Sequence, residues 1–328
     1  MAKGTIFSGM RPTGRLHIGH LSVLENWVRL QEEYNCYYGI VDWHALTTSF
    51  QESEGIKDNI KEMLVDWLAA GLDPEKSTIF VQSHVPQHAE LHLMLSMITP
   101  LSWLERVPTY KDQVQQLSKI GKDISTYGFL GYPLLQAADI MIYRSNAVPV
   151  GEDQLPHIEL CREVVRRFNY MYDSEVFPEP QALLSKVKML PGVDGRKMSK
   201  SYLNLISLAA EQDEIKNQVN AMVTDPNRIR KTDPGNPDVC VVDKYHGIYV
   251  SGEHEGIREQ CLKGRIGCVQ CKRRLAQELE EQQAPMRERR NKILSSPDYL
   301  DDVLAEGAKA ARVQAEKTME RVRQAVGI

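Results

Sequence analysis

Long apolar runs are missing from this chain of 328 residues. Nothing approaches the ~18 uninterrupted apolar residues that a membrane-spanning helix requires, so no membrane contact is expected. The N-terminus, MAKGTIFSGMRPTG, lacks the apolar core of a secretion signal, and a cytoplasmic location is the expectation. An excess of one charge is missing too. Forty Lys and Arg against 44 Asp and Glu give a net charge of −4, which does not describe a chain that binds nucleic acid over its whole surface. Basic residues gather only locally, at 228–231 (RIRK), 272–274 (KRR) and 287–290 (RERR), and solvated helix faces explain any one such run. Cysteine is sparse, with six in all, yet four of them fall at Cys240, Cys261, Cys268 and Cys271. In a reducing compartment, clustered thiols bind metal more often than they form disulfides. Internal repeats and low-complexity tracts are absent as well.

What the chain does have is alternation. Residues 5–8 (TIFS), 36–41 (CYYGIV) and 77–81 (STIFV) read as strands, and helical segments connect them, with Leu21, Val23, Leu24, Trp27, Val28 and Leu30 at roughly helical spacing and Leu64, Trp67 and Leu68 on one side of the next. Strands alternating with helices predict a parallel sheet with crossover helices, an α/β fold. Ligands of such sheets sit beyond the carboxyl ends of the strands. Beyond residue 200 the segments 215–223, 270–289 and 303–326 are polar and helical. Residues 224–238 carry three prolines and read as a loop. The expected division is an α/β domain over 1–205 and a helical domain over 206–328.

Two short motifs carry chemistry. His17-Ile18-Gly19-His20 lies where the loop after the first strand becomes a helix. A helix start offers unpaired N–H groups to a phosphate, Gly19 allows close approach, and two imidazoles can donate to developing negative charge. A cap or a packed turn explains the tetrapeptide equally well when it stands alone. The second motif is Lys197-Met198-Ser199-Lys200-Ser201, preceded by 192–196 (GVDGR). It reads as a cationic loop that can close on a polyphosphate and stabilise departing pyrophosphate, or, more plainly, as an exposed basic turn. The pair is far more specific than either member.

These motifs resemble those of class I aminoacyl-tRNA synthetases. Through 132–140 (YPLLQAADI) and 148–154 (VPVGEDQ) the resemblance narrows to the bacterial-type tryptophanyl-tRNA synthetases and covers nearly the whole chain. It implies a Rossmann-type catalytic domain, a helical anticodon-binding domain and a homodimer. The implied reaction is activation of L-tryptophan with ATP and Mg²⁺ to tryptophanyl-adenylate, followed by transfer to tRNA(Trp). By resemblance His17, His20, Lys197 and Lys200 are catalytic. Arg11, Pro12, Thr13, Gly19, Gly151, Glu152, Asp153, Met198, Ser199 and Ser201 join His20, Lys197 and Lys200 around ATP. The tryptophan site is implied to comprise Phe7, His44, Tyr132, Gln136, Asp139, Val148, Val150 and Gln154. Gln136 departs from the pattern, since many relatives carry Met there.

Asp139 stands out on physical grounds as well. It interrupts an apolar helical stretch, 137–142 (AADIMI), where a carboxylate is costly without a donor. The donor is either a neighbouring helix or, by resemblance, the indole N–H of tryptophan. Asp42 and His44 close the second strand beside the same crevice, and an ordinary turn explains them almost as well. Tyrosyl-tRNA synthetase shares this fold and chemistry and is the nearest alternative. A small nucleotidyltransferase would leave the helical domain without purpose, and a non-enzymatic metal scaffold would leave the lysine loop without one.

The clustered cysteines follow C-x20-C-x6-C-x2-C. Structural zinc favours two tight knuckles, whereas one short pair with two distant partners is closer to four-thiolate iron–sulfur ligation. A subset of tryptophanyl-tRNA synthetases carries a [4Fe–4S] cluster on a pattern that differs slightly in its first spacer. The expectation is a [4Fe–4S] cluster, with zinc as the alternative, clamping the basic segment Lys272, Arg273 and Arg274 for RNA docking. Cys36 and Cys161 are expected in the core.

Overall fold

The expected strands form and two more join them. In a computed structural model that describes residues 2–108, 110, 111, 114, 123–184, 190–198 and 202–328, β1 (Thr5–Met10), β2 (Asn35–Ile40), β3 (Ser77–Val81), β4 (Ala147–Val150) and β5 (Gln181–Leu184) make one sheet in the order β3-β2-β1-β4-β5. Every pairing is parallel. The chain winds from β1 to β2 and β3 on one side, then returns to place β4 on the other side of β1. The crevice beyond β1 and β4 is therefore the switch point of the sheet, the place where open α/β sheets hold ligands.

Helices cover both faces because their apolar stripes require it. The helix Leu21–Leu30 buries Leu24, Trp27 and Leu30. Trp27 stacks on Tyr38 of β2 at 4.6 Å between ring centroids and meets Trp67 of the helix Ile56–Ala70 edge-on at 5.1 Å. Gly71 ends that second helix in the left-handed region, at a φ of 110°, which a residue with a side chain rarely adopts. Further along, the helices Tyr132–Ile142 and Leu155–Met171 pack together on the opposite side of the core.

The helical segment after residue 205 is not set apart from the sheet. Its last helix, Pro297–Val326, lies along β3, and its small residues Ala308, Ala311 and Ala315 sit in the same core as Phe80 and Leu91. At the crossing, a β-carbon on Gly307 would run into the Ile79 carbonyl. The 27-residue helix Cys268–Leu294 is fastened to the helix Ile56–Ala70: Arg290 Nε lies 3.0 Å from Asp66 Oδ1, and Arg289 Nε donates to the Ala69 carbonyl at 2.7 Å. Ile18 of the first motif and Met198 of the second sit in one core with Val241, Tyr245, Leu275 and Leu279 of the helical region.

Candidate active site

A cavity of about 330 Å³ occupies the switch point. Its apolar walls are Phe7 from β1, Val148 and Val150 from β4, and Phe129. The paired glycines Gly9 and Gly39 make room for it. A β-carbon on Gly39 would come within 3.1 Å of the Phe7 ring, so a larger residue would push that ring out of place. Polar groups enter from four sides: Arg11, His44, the Tyr132–Gln136–Asp139 face of one helix, and Gln154 with His157. An apolar pocket with a few convergent polar groups is the expected form of a small-molecule site.

Asp139 is 1% exposed, and the donors it needs are supplied by the protein itself. Gln82 Nε2 donates to both carboxylate oxygens, at 2.7 and 2.8 Å. His88 Nδ1 lies 2.7 Å from Oδ1, and His44 Nε2 lies 3.0 Å from Oδ2. A carboxylate only accepts, so both histidine nitrogens carry protons. Burial works to raise the Asp139 pKa, but the charge of His88 and the hydrogen bonds from His44 and His88 outweigh it and hold the carboxyl at about 2. Behind His88, its Nε2 meets the Tyr143 hydroxyl at 2.7 Å. Tyr143 stacks on both Tyr37 and Phe7, partners across β1 and β2, which joins the carboxylate network to the cavity wall.

At another edge of the cavity, His157 Nε2 lies 3.0 Å from the Tyr132 hydroxyl, and its Nδ1 lies 2.9 Å from Gln154 Oε1. Gln154 Nε2 donates in turn to Asp153 at 2.8 Å. Gly151, in front of this group, allows Asp153 to fold back: a β-carbon there would stand 2.7 Å from Asp153 Oδ1.

The two motifs touch. His17 caps the short helix Ile18–His20, its Nδ1 accepting the Gly19 N–H at 3.2 Å. In the neutral ring this assigns the proton to Nε2, so that nitrogen is the donor. His20 Nδ1 lies 3.3 Å from the His17 N–H, and the two rings are 3.9 Å apart. A β-carbon on Gly19 would come within 2.9 Å of His17 Nδ1 and 3.3 Å of Met198 Sδ. Lys197 is exposed, while its carbonyl accepts from Asn204 Nδ2 at 3.1 Å.

The structure thus gathers Phe7, His44, Tyr132, Gln136, Asp139, Val148, Val150 and Gln154 on one cavity, together with Arg11 and Gly151. Glu152 and Asp153 are exposed at the start of the following helix, and Pro12 and Thr13 lie in the loop before His17. Ser199, Lys200 and Ser201 fall outside the described residues. Asp42 accepts the backbone N–H groups of Trp43 and Ser83, at 3.1 and 3.0 Å, which makes it the link between the ends of β2 and β3. Gln82, His88, Tyr143 and His157 carry no sequence signal beyond being lone polar residues in apolar company.

The four cysteines come together from separate elements. Cys240 precedes the helix Val241–Tyr249, Cys261 lies near the end of the helix His254–Leu262, and Cys268 and Cys271 open the long helix. Arg228 Nη1 lies 3.8 Å from both Cys261 Sγ and Cys268 Sγ. Cys271 Sγ is 3.3 Å from His246 Nε2, and burial, followed by the charges of the other three thiols, pushes its pKa up to about 12. Among the described residues, no three His, Cys, Asp or Glu side chains are grouped to hold a metal ion. Cys36 and Cys161 are buried, as expected.

Residues 2–282 match the family model described as tRNA synthetases class I (W and Y). The chain is 55% identical to the tryptophan–tRNA ligase of Thermotoga maritima over 98% of its own length and 99% of the relative's. It is 44% identical to that of Aquifex aeolicus, with 98% and 99% covered. Among solved structures, the tryptophanyl-tRNA synthetase of Campylobacter jejuni complexed with ADP and tryptophan superposes with a TM-score of 0.86 at 32% identity, covering 99% of this chain and all of that one. An Archaeoglobus fulgidus tyrosyl-tRNA synthetase, at 19% identity and a TM-score of 0.67, shares the fold. With its parallel sheet, its two touching motifs and these relatives, the chain belongs to the class I tRNA synthetases of the tryptophan and tyrosine group.

Proposed function

We propose that the cavity at the switch point binds L-tryptophan and that the chain charges tRNA(Trp) with it as a tryptophan–tRNA ligase. Tryptophan and ATP, which enters with Mg²⁺, react to give tryptophanyl-adenylate. A tryptophan carboxylate oxygen attacks the α-phosphorus, the bond to the β-phosphate oxygen breaks, and pyrophosphate leaves. A ribose hydroxyl of the tRNA then attacks the adenylate carbonyl and releases AMP.

The observation that carries the assignment is the buried carboxylate of Asp139 on an apolar-walled cavity that Tyr132 and Gln154 also line. Phe7, Val148 and Val150 suit an indole ring, and Gln136 extends the polar face. Tyr132 and Gln154 suit the α-ammonium. All four acceptor directions of Asp139 are occupied by Gln82, His88 and His44. The indole N–H therefore takes a place now held by a protein donor, and His44, which lines the cavity, is the one positioned to yield it. A site built on a hydrogen bond rejects ligands that lack the donor far more strongly than an apolar pocket can.

His17 and His20 are assigned to the phosphates, with Lys197 and Lys200 on the departing pyrophosphate. Arg11, Pro12, Thr13, Gly19, Met198, Ser199 and Ser201 complete the nucleotide site, and Gly151, Glu152 and Asp153 hold its ribose. Charge on the leaving group grows in the transition state, so these residues act chiefly on kcat.

Cys240, Cys261, Cys268 and Cys271 are assigned to a [4Fe–4S] cluster, with zinc as the alternative. The donor chemistry supports it: four thiols lie at the ends of neighbouring helices, two of them, Cys261 and Cys268, within 3.8 Å of the Arg228 guanidinium. When bound, the cluster supplies a structural clamp beside Lys272, Arg273 and Arg274, a basic surface for the anticodon loop. Homodimer formation is supported by Leu93, Met97 and Leu101, large apolar residues that are exposed in and just after the helix Gln87–Ser96.

The deciding experiment is ATP–pyrophosphate exchange with each of the twenty amino acids. Tryptophan should drive it and tyrosine should do so poorly. Exchange with tyrosine equal to or above that with tryptophan overturns the assignment.

A further inference from the structure

His157 is 2% exposed and reaches two residues of the cavity rim without itself belonging to either motif. The direction of each hydrogen bond in this group follows from its neighbour. The Asp153 carboxylate can only accept, so Gln154 must turn its N–H toward it, across 2.8 Å, and its amide oxygen toward His157. That oxygen can only accept as well, so His157 Nδ1, 2.9 Å away, carries the imidazole proton. In the neutral ring Nε2 is then an acceptor, and the Tyr132 hydroxyl, at 3.0 Å, must donate to it. Burial keeps the ring neutral, lowering its pKa to about 4 against the opposing pull of the Asp153 carboxylate.

We propose that His157 is a positioning residue that sets the polarity of this hydrogen-bond chain, so that Tyr132 and Gln154 turn oxygen lone pairs toward the α-ammonium of tryptophan. An ammonium group has three N–H donors and no acceptor, so a rim presenting O–H or N–H would repel it. With the imidazole in place, the Tyr132 proton is committed away from the ligand, and the Gln154 amide cannot flip without setting its oxygen against the Asp153 carboxylate. Without the imidazole, the Tyr132 hydroxyl loses this acceptor and the Gln154 amide loses one of its two tethers. Selection for an α-amino acid over a desamino acid then falls while the ring pocket stays as it was. This inference rests on the reading that the ammonium lies at Tyr132 and Gln154.

The test is equilibrium binding, by calorimetry, of L-tryptophan and of indole-3-propionate, which keeps the ring and carboxylate but lacks the ammonium. His157→Phe keeps the ring volume and removes both polar atoms. It should weaken tryptophan about tenfold, the usual loss for an unmet buried hydrogen bond, and leave indole-3-propionate within about twofold. His157→Gln, whose amide both donates and accepts, should recover most of that loss. His157→Asn, too short to span both partners, repeats the comparison if the Phe variant does not fold. Equal losses for both ligands would reduce His157 to a packing residue and overturn the proposal. Tyr132→Phe separates the two levels. If it weakens tryptophan selectively and the His157 variants do not, the polarity proposal fails and the ammonium site stands. If neither change affects tryptophan, the ammonium lies elsewhere and both fail.

Discussion

The sulfur of Met198 stands 3.3 Å from where a β-carbon on Gly19 would project, so the centres of the His-Ile-Gly-His and Lys-Met-Ser-Lys-Ser motifs are packed against each other through a missing side chain. The same β-carbon would press on His17 Nδ1 at 2.9 Å, the atom that caps the helix. Gly19→Ala therefore displaces both the imidazole and the loop that carries Lys197. The expected result is a fall of roughly 10- to 100-fold in kcat for pyrophosphate exchange, because small displacements of catalytic groups cost that much. The tryptophan KM should change little, since His17 and Gly19 lie outside the cavity at the switch point.

Asp139 ties together three side chains from three elements, so its replacement is a stability experiment as well as a binding one. In Asp139→Asn at least one oxygen becomes an N–H group facing a donor from Gln82, His88 or His44. Urea titration should show a loss of about 1–3 kcal/mol, the cost of leaving a buried polar group unsatisfied. Tryptophan KM should rise while ATP KM holds. An unchanged urea midpoint would mean that the carboxylate is dispensable to the fold.

The α/β class was legible because TIFS, CYYGIV and STIFV are apolar strands with helical spacing between them. β4 and β5 were not, and the reason is physical. Each is four residues long, β4 contains Pro149, and a short parallel strand takes its hydrogen bonds from partners far away in sequence. Pro149 is tolerated there although it cannot donate to a ladder. The residues of the cavity were legible one at a time, Asp139 most clearly, since a carboxylate in an apolar helix advertises its cost. Its partners were not: Gln82 and His88 are 57 and 51 residues away, and local pattern does not encode such contacts. The last helix did carry a signal, in the spacing of Gly307, Ala308, Ala311 and Ala315. A face of small residues lets a helix approach a sheet closely, and this one does, whereas the division at residue 205 groups it with the other helices.

Arg290 and Asp66 form a buried pair at 3.0 Å, and Asp66 Oδ2 also accepts the Leu16 N–H, at 2.8 Å, one residue before His17. Burial raises the Asp66 pKa, and Leu16 and Arg290 oppose it. Arg290→Met keeps the stem and strips the charge, leaving a buried carboxylate without its cation. Breaking such a pair from one side costs about 3–5 kcal/mol. Urea unfolding should show that loss, and Asp66→Asn added to Arg290→Met should recover part of it.

His157 gives the protein a pH dependence with a definite sign. Its folded pKa, about 4, is lower than the 6.5 of a free imidazole, because burial disfavours the cation. Between those values the unfolded chain binds the extra proton and the folded chain does not, so stability is fully present above 6.5 and is lost as pH falls toward 4. The full shift corresponds to ~3 kcal/mol. Asp153, which favours the cation, and His44, which opposes it, are the charged neighbours, with Tyr132 as the remaining titratable partner. Melting temperature measured from pH 7 to pH 4.5 should fall in the native protein and fall less steeply in His157→Phe. Parallel curves would assign the acid loss to other groups.

Cys268 shares the Arg228 guanidinium with Cys261, and Arg228 also holds the Ile266 carbonyl at 2.8 Å, so one arginine links the loop to both sulfurs. Anaerobic preparation should yield a brown protein with iron and sulfide in matched amounts, and Cys268→Ser should abolish the colour. The basic segment that follows is partly paired already: Arg274 Nη2 lies 2.9 Å from Glu253 Oε1, and Lys272 Nζ donates to the Asn220 carbonyl at 2.7 Å. On the proposed cluster, loss of Cys268 should loosen this segment rather than uncover new charge, and tRNA affinity should fall. Tryptophan-dependent pyrophosphate exchange should be retained, because none of these cysteines lines the cavity at the switch point. Native protein with neither iron nor zinc and four freely titratable thiols would remove the cluster. A Cys268→Ser variant that loses exchange while binding tRNA normally would leave the cluster in place and refute its role as a clamp for RNA.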